Sequence, residues 1–460
     1  MKIFLTHGYY LNSDPNELRI MKPYVPLGIL YISAYLKQNG FEVSVFDSTF
    51  QSFEAQKTAL LESKPQVIAI YCNLMTKLNV LPLIKFIKQN DELKKSTIVL
   101  GGPEPPFHAA EFLNYGADII VEGEGEETML ELCRELSKKE PKLENVNGII
   151  FKSAGEVIKT PQREKIKDIN TLPYPDRAAV DLRLYLDAWK KAHGYSSVSV
   201  STMRGCPYTC RWCSHGVYGV SYRRRSPEKT ADEIQHIIKT YAPDMLWFVD
   251  DVFTVSHKWL SRLAEVFRQR GIKIKFECIS RSDRLSEDVI ITLKELGCFR
   301  LWIGAESGSQ HVLDLMDRRV DAADTRDKIK LTRKYGIEAG TFIMLGYPGE
   351  RKSDIVQTAQ HLIDSDPDIF LTTVAYPIKG TPFYTEVESK LVTDLPWDKR
   401  TDRDLDFKGR FSKKFYKHAN RYLVNEVNYH KMKKLGNGGL AAGKIFLKAK
   451  ISKLMMNITK

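Results

Sequence analysis

Short hydrophobic runs alternate with amphipathic stretches along the first 137 residues of the chain. The runs typical of strands are KIFLTH (2–7), FEVSVFDS (41–48), VIAIYCN (67–73), TIVLGG (97–102) and DIIVEG (118–123). Between them, apolar residues recur at helical spacing, as in LGILYISAYLKQNG (27–40). Strands that alternate with helices in this way predict a doubly wound parallel sheet.

A second alternating series begins near residue 197. Its six hydrophobic runs are VSVSTMRG (198–205), MLWFVDD (245–251), KIKFECISR (273–281), FRLWIGAES (299–307), AGTFIMLG (339–346) and DIFLTTVAYP (368–377). Six βα units predict a partial (β/α)6 barrel, in which functional residues follow the carboxyl ends of the strands.

A hairpin pattern at 147–161 and the proline-rich segment LPYPD at 172–176 lie between the two series. The chain is therefore predicted to have four parts: an α/β domain at 1–140, a hairpin and linker at 141–195, the barrel at 196–385, and a basic, mostly helical region at 386–460.

The net charge is concentrated at one end of the chain. The 460 residues carry 69 Lys+Arg and 57 Asp+Glu, a formal net charge of +12. Residues 401–460 hold 15 basic and 4 acidic side chains, so +11 of this charge lies there, and 54 basic residues face 53 acidic ones elsewhere. The nearly neutral main body argues against nucleic acid as a partner.

The expected location is the cytoplasm. The first apolar run is too short for a secretory signal, and no window approaches the roughly 18 apolar residues of a spanning helix. The seven cysteines are then expected to be reduced.

Three of these cysteines form a compact motif after the first barrel strand. Cys206, Cys210 and Cys213 have the spacing C-x3-C-x2-C. Three thiolates on one loop can bind three irons of a cubane cluster and leave the fourth iron open to another ligand. A zinc site with His215 as its fourth ligand is the alternative.

The motif, together with Gly304–Gly308 and Gly340–Glu350, resembles the radical S-adenosylmethionine (SAM) superfamily. This resemblance implies a [4Fe-4S] cluster on Cys206, Cys210 and Cys213, whose open iron binds SAM and cleaves it to a 5′-deoxyadenosyl radical. It also implies four residues that contact SAM: Trp212, Arg281, Glu306 and Ile343.

Two of these residues have a second interpretation that the sequence leaves open. Glu306 follows an apolar strand, where a carboxylate needs a ligand or an ion pair. Arg281 can hold the SAM carboxylate in a bidentate contact or pair with Asp283 at the end of the barrel.

The N-terminal domain resembles the cobalamin-binding domain that precedes the barrel in one radical SAM subgroup. The matching segments start at Pro26, Gly40, Leu100 and Gly123. The resemblance implies a flavodoxin-like fold and a cobalamin site formed by Gly28, Asn73, Thr76, Gly101, Gly102 and Gly123. An α/β domain with another ligand, or with none, is the alternative. No histidine lies in an Asp-x-His-x-x-Gly motif, so cobalt is expected to lack that ligand.

Together the two resemblances imply an enzyme that methylates an unactivated carbon of a small, biosynthetic or lipid-like substrate. An electron donor such as flavodoxin or ferredoxin is expected as a partner. An oxidative cyclase of the type that closes a tetrapyrrole ring is the alternative, and a methylthiotransferase or a cobalamin or redox sensor fits less well. The sequence identifies no catalytic side chain beyond the cofactor contacts.

A basic amphipathic helix is predicted near the C-terminus. Five apolar residues fall on one helical face: Leu447, Ile451, Leu454, Met455 and Ile458. Such a face can bind the inner surface of a membrane, dock a partner or pack on the barrel.

Overall fold

The computed structural model describes residues 1–459, which form two compact units. The first unit contains residues 1–207, 214–246 and 394–404. The second unit contains residues 208–213, 247–393 and 405–460. The predicted ranges 1–140 and 141–195 fall in the first unit, whereas the predicted barrel range contributes to both.

A seven-stranded sheet organises the first unit. Its strands are β1 (Lys2–His7), β2 (Glu42–Phe46), β3 (Val67–Tyr71), β4 (Thr97–Gly101), β5 (Ile119–Val121), β6 (Ile149–Ser153) and β7 (Glu156–Lys159). The order is β2-β1-β3-β4-β5-β6-β7. The first five strands are parallel, and the predicted hairpin forms the antiparallel strands β6 and β7 at the edge of the same sheet. The predicted doubly wound sheet is therefore confirmed.

Helices cover both faces of this sheet because its parallel strands are apolar on both sides. Phe4, Ile68 and Leu100 belong to one buried cluster, while Leu5 and Val99 belong to the other. The helices of this unit are α1 (Pro15–Ile20), α2 (Leu27–Gln38), α3 (Phe53–Ser63), α4 (Lys77–Gln89), α5 (Ala109–Tyr115), α6 (Gly125–Leu136), α7 (Leu182–His193) and α8 (Pro227–Tyr241).

A second sheet has six strands in sequential order, as predicted for the partial barrel. They are β8 (Ser197–Val200), β11 (Met245–Phe248), β12 (Lys275–Ser280), β13 (Cys298–Glu306), β14 (Glu338–Leu345) and β15 (Ile369–Val374). The pairs from β12 to β15 are parallel. Two short antiparallel pairs are β9 (Met203–Arg204) with β10 (Arg223–Arg224), and β16 (Leu391–Val392) with β17 (Asp406–Phe407).

The helices of the second unit include the predicted C-terminal helical region. They are α9 (His257–Gln269), α10 (Glu287–Leu296), α11 (Gln310–Leu315), α12 (Ala322–Lys334), α13 (Lys352–Ser365), α14 (Pro382–Val387), α15 (Lys413–Lys434) and α16 (Leu440–Ile458). The side chains of Ser256, Ser286 and Ser412 accept backbone N–H groups and so cap α9, α10 and α15. Of the helices in residues 1–459, none has the length and apolarity needed to cross a bilayer.

Candidate functional site

The cysteine motif lies on the loop that follows β9. Cys206 belongs to the first unit and forms an isolated β-bridge with Val220. Cys210 and Cys213 belong to the second unit, where the Cys213 N–H donates to the Cys210 carbonyl at 3.1 Å. All three are reduced thiols outside disulfides; Cys206 and Cys210 are buried and Cys213 is half-buried. Three reduced thiols on one loop are the donor set that an iron–sulfur cluster requires.

Two arginines surround the sulfur of Cys210. Nη1 of Arg281 lies 3.6 Å from Cys210 Sγ, and Nη1 of Arg318 lies 3.5 Å from the same atom. Both side chains are buried. Two guanidinium donors at one sulfur suit a thiolate that carries part of the charge of an anionic cluster. Arg318 was not expected from the sequence, because it lies in the loop after α11 with no distinguishing motif.

Contacts within the second unit fix the orientation of the Arg281 side chain. Its Nε donates to Asp283 Oδ1 at 2.8 Å, and its Nη2 donates to the Arg318 carbonyl at 2.9 Å. The guanidinium also lies 3.9 Å from the centre of the Tyr208 ring. The pairing with Asp283 that the sequence offered as an alternative is therefore present, together with the contact to Cys210.

Glu306 ends β13 in an unusual backbone conformation. Its φ angle is +61°, and the register with β14 shifts between Gly304 and Glu306. Its Oε1 lies 3.8 Å from Nη2 of Arg318, so the ion pair that the sequence offered for this carboxylate is observed. Burial raises the pKa of Glu306, and the charges of Arg318 and Arg281 oppose that rise. A Cβ on Gly304 would lie 2.7 Å from Nη2 of Arg318, so the absence of a side chain there permits this arrangement.

Trp212 and Ile343 have different surroundings. The half-buried ring of Trp212 packs near Tyr347 and Phe383, and the guanidinium of Arg318 lies 5.7 Å from its centre. Ile343 is buried in the cluster that includes residues of α13 and α15. Neighbouring strand residues point to opposite faces, so the side chain of Met344 lies on the other face of β14, in the cluster that includes Trp212. A contact from Ile343 to SAM on the Trp212 side of the strand would therefore use the backbone of Ile343.

A cavity of about 490 Å³ lies at the carboxyl ends of the parallel strands in the first unit. All six residues that the resemblance assigns to cobalamin line it: Gly28, Asn73, Thr76, Gly101, Gly102 and Gly123. Ligands of doubly wound sheets bind at this edge. The structure thus brings together residues that are up to 95 positions apart in sequence.

The glycines of the cavity wall leave room for a large ligand. A Cβ on Gly28 or Gly101 would meet no atom within 4 Å. A Cβ on Gly102 would lie 2.3 Å from the Cys72 carbonyl oxygen, and the φ angle of Gly102 is +109°. Gly102 is therefore required by the turn, whereas Gly28 and Gly101 keep the cavity open, as a bulky corrin ring would need.

Asn73 and Thr76 hold the loop after β3 in place. The Asn73 side-chain oxygen accepts the N–H groups of Met75 and Thr76 at 2.9 and 3.0 Å. The Thr76 hydroxyl accepts the Asn73 N–H at 3.0 Å. These side chains shape the cavity wall through their bonds to the backbone.

His7 lines the same cavity but uses both ring nitrogens within the protein. Nε2 lies 3.0 Å from Asp47 Oδ1, while Nδ1 accepts the Tyr9 N–H at 3.1 Å and lies 3.0 Å from the Ser48 hydroxyl. Burial raises the pKa of Asp47, but the hydrogen bonds from His7 and Tyr185 outweigh it and lower the pKa. His7 in this arrangement offers no nitrogen to a metal.

Buried ion pairs connect the cavity wall with the start of the cysteine loop in the first unit. Arg204 donates to Glu124 Oε1 at 2.7 Å and pairs with Glu126. Arg223 pairs with the other oxygen of Glu124. Arg204 precedes Cys206 by two residues, and both glutamates line the cavity.

A separate buried cluster in the first unit consists of Glu104, His108 and Asp402, whose potential ligand atoms lie within 4.8 Å of one another. Buried Lys77 lies nearby, 4.1 Å from the centre of the Trp397 ring. Burial lowers the pKa of Lys77, and the charges of Glu104 and Asp402 oppose that effect. The charge of Lys77 therefore interacts with two carboxylates of this cluster.

Two family models match the chain. Residues 20–133 match the B12 binding domain, and residues 200–362 match the Radical SAM superfamily.

Curated relatives cover most of the chain. The "Uncharacterized methyltransferase PH0819" of Pyrococcus horikoshii is 27% identical over 386 residues, which are 82% of this chain and 82% of the relative. The anaerobic magnesium-protoporphyrin IX monomethyl ester cyclase of Cereibacter sphaeroides is 24% identical over 407 residues, which are 85% of this chain and 64% of the cyclase.

A solved structure extends the match to nearly the whole chain. The cobalamin-dependent S-adenosylmethionine radical enzyme OxsB, with aqua-cobalamin and SAM bound, aligns with a TM-score of 0.76 and 19% identity. The alignment covers 99% of this chain and 72% of OxsB. At this identity the match establishes the shared fold.

Proposed function

Because this chain belongs to the radical SAM proteins that carry a B12-binding domain, we propose that it methylates an unactivated carbon of a small substrate. It is a cobalamin-dependent radical SAM enzyme, and its cofactors are a [4Fe-4S] cluster, SAM and cobalamin. When bound, these groups supply a 5′-deoxyadenosyl radical and a methyl group. The observation that carries the proposal is the glycine-walled cavity, at the sheet edge where the B12 domain model matches.

The proposed cluster ligands are Cys206, Cys210 and Cys213. Arg281 and Arg318 donate hydrogen bonds to the sulfur of Cys210 and so stabilise negative charge there. We assign SAM contacts to Trp212, Arg281, Glu306 and the backbone of Ile343. Glu306 is suited to accept a ligand N–H because its largely buried carboxylate pairs with Arg318 at 3.8 Å and ends a strand of the barrel.

In the first unit, we assign cobalamin contacts to the six cavity residues predicted from the sequence. Gly28 and Gly101 permit close approach of the ligand, while Asn73 and Thr76 hold the loop between β3 and α4. Since His7 is hydrogen-bonded at both nitrogens, we propose that cobalt receives no imidazole ligand from this strand end.

Oxidative ring closure is the second candidate, and the relative that favours it is the magnesium-protoporphyrin ester cyclase. The two reactions differ in their products. A methyltransferase adds one CH2 unit of mass to the substrate, whereas a cyclase removes hydrogen and adds no carbon. Mass spectrometry of the product, with SAM carrying a labelled methyl group, separates them.

The proposed partners follow from this chemistry. The substrate is a small biosynthetic or lipid-like molecule, and a flavodoxin or ferredoxin supplies the electron. We also propose that the protein works in the cytoplasm with peripheral membrane contact through its basic C-terminal region.

The cluster assignment is tested by anaerobic reconstitution of the full chain. The wild-type protein should bind about four irons and form 5′-deoxyadenosine from SAM. Alanine at Cys206, Cys210 or Cys213 should abolish both, because each thiolate binds a separate iron. Cys133→Ala, which removes a buried thiol of α6, should retain both. An intact cluster in all three variants of the motif would refute the assignment.

A further inference from the structure

One face of α16 is buried within the second unit. Ala442, Ala449, Ser452 and Met456 are buried, and the last three recur at spacings of three and four residues. Ala449 and Met456 share an apolar cluster with Phe415 of α15. This face attaches α16 to the protein, as the sequence allowed.

A row of large apolar side chains lies on the opposite face. Leu440, Leu447, Ile451, Leu454 and Ile458 are 90%, 59%, 51%, 60% and 68% exposed. Their spacings of seven, four, three and four residues place them in one line along the helix, and at 1.5 Å per residue this line is about 27 Å long. Met455, which the sequence placed on this face, is half-buried at its edge. A continuous exposed apolar row indicates a binding surface.

Lysines border this row on both sides. At about 100° per residue, Lys444 and Lys448 lie on one side of it and Lys450 on the other, and all three are exposed. No aspartate or glutamate follows Glu426 in the sequence. The apolar row is therefore flanked by positive charges and by no carboxylate of α16.

We propose that α16 lies in the plane of an anionic lipid bilayer, with the five-residue row inserted below the headgroups and the lysines at the lipid phosphates. This arrangement combines apolar burial with attraction to negative lipids, and long lysine stems allow their charges to reach the headgroups. The inference rests on the peripheral contact proposed above and specifies its face and the charge of its lipid.

The charges favour lipid over a second copy of the chain. In a symmetric pair of α16 helices, the lysine borders of the two copies would face each other with no carboxylate between them, because α16 contains none. Repulsion would then weaken self-association. Anionic lipid instead neutralises the border.

Vesicle co-sedimentation of the full-length protein tests the proposal. Wild-type protein should bind vesicles that contain phosphatidylglycerol and should not bind pure phosphatidylcholine. Leu447→Glu with Leu454→Glu should weaken binding roughly 30-fold, because two apolar side chains no longer insert. Leu184→Glu, a change at an exposed leucine of α7, is the matched control and should bind like wild type.

A charge-reversal pair tests the lysine border separately. Lys444→Glu with Lys448→Glu should weaken binding on the order of tenfold or more, and added salt should weaken wild-type binding. Lys258→Glu with Lys330→Glu changes the net charge equally at exposed sites of α9 and α12 and should have little effect. These point changes preserve the buried face, whereas deleting the helix would remove Ala449 and Met456 and expose the cluster residue Phe415 of α15.

Equal binding by wild type and the Leu447/Leu454 variant would overturn the proposal. So would a wild-type dimer that this variant converts to a monomer without any change in vesicle binding. Formation of 5′-deoxyadenosine by the same samples is measured in parallel. If wild-type protein forms 5′-deoxyadenosine but does not bind the vesicles, the docking inference fails and the proposed enzyme stands. If it binds the vesicles but forms no 5′-deoxyadenosine, the proposed enzyme is refuted and docking is supported.

Discussion

Glu350 shows how one buried residue can make the protein sensitive to pH. The side chain is 7% exposed, in the turn after β14, and its Oε2 accepts the Gly346 N–H at 2.7 Å. Burial raises its pKa to about 8, although the Gly346 hydrogen bond opposes the rise. The protonated form therefore dominates at neutral pH, and ionisation places an unfavourable charge in the interior.

The free energy of unfolding should fall as pH rises through the range set by Glu350. Between its ordinary pKa of 4.5 and its folded value of about 8, the folded state binds more protons than the unfolded state. The full shift corresponds to about 3 to 5 kcal/mol. Glu350→Gln should flatten this pH dependence in urea unfolding, and Glu388→Gln at an exposed site should not. Equal slopes for Glu350→Gln and wild type would contradict this account.

At the scale of elements, the end of β4 shows two adjacent glycines with different roles. Gly101 has open space where a Cβ would lie and faces the cavity, whereas Gly102 has a positive φ angle and lies against the Cys72 carbonyl. The first glycine leaves open space at the cavity wall, and the second permits the turn between β4 and α5.

Alanine at each position should separate these roles. Gly102→Ala should destabilise the fold by about 1 to 3 kcal/mol, because the added methyl group meets both strain and a backbone oxygen. Gly101→Ala adds the same group in open space and should leave thermal stability unchanged. Gly101→Leu should weaken hydroxocobalamin binding, measured by absorbance titration, at least about tenfold by filling the cavity. Wild-type affinity in Gly101→Leu would show that cobalamin binds elsewhere.

At the scale of the whole molecule, four of the seven cysteines are more deeply buried than the three of the loop motif. Cys72, Cys133, Cys278 and Cys298 are at most 1% exposed and lie in the cores of the two units. Burial raises the pKa of Cys72, and it raises that of Cys133 to about 12. Such thiols react slowly, so the loop thiols should dominate the chemical reactivity of the chain without its cluster.

Alkylation of the apo-protein with iodoacetamide should follow this division. Peptide mass spectrometry should find Cys213 modified first, because it is half-buried whereas the other cysteines are buried. Reconstitution of the cluster should protect Cys206, Cys210 and Cys213 together, and denaturation should expose all seven cysteines. Modification of Cys133 as rapid as that of Cys213 in the folded chain would contradict the observed burial.

Local pattern sufficed for much of the architecture. The alternation of apolar runs and helical spacing predicted the parallel sheet with β1 to β5 and the six strands from β8 to β15, because a strand that is buried on both faces is a short continuous apolar run. The spacing of Cys206, Cys210 and Cys213 is itself local, so the motif was visible without a structure. The six cavity residues, four glycines with Asn73 and Thr76, were predicted from the family resemblance.

Long-range packing determined what the sequence left open. Arg318 contacts Cys210, which is 108 residues away in sequence, and His7 contacts Asp47, which is 40 residues away. Patterns among neighbouring residues do not predict such pairs. The apolar face of α16 was predicted from its helical spacing, but which face of the helix is buried depends on its packing against α15. The sequence by itself therefore determined the strands, the helices and the cysteine motif, because these depend on neighbouring residues. Only the tertiary structure decided which charges pair and which apolar faces remain exposed, because those depend on the packing of distant segments.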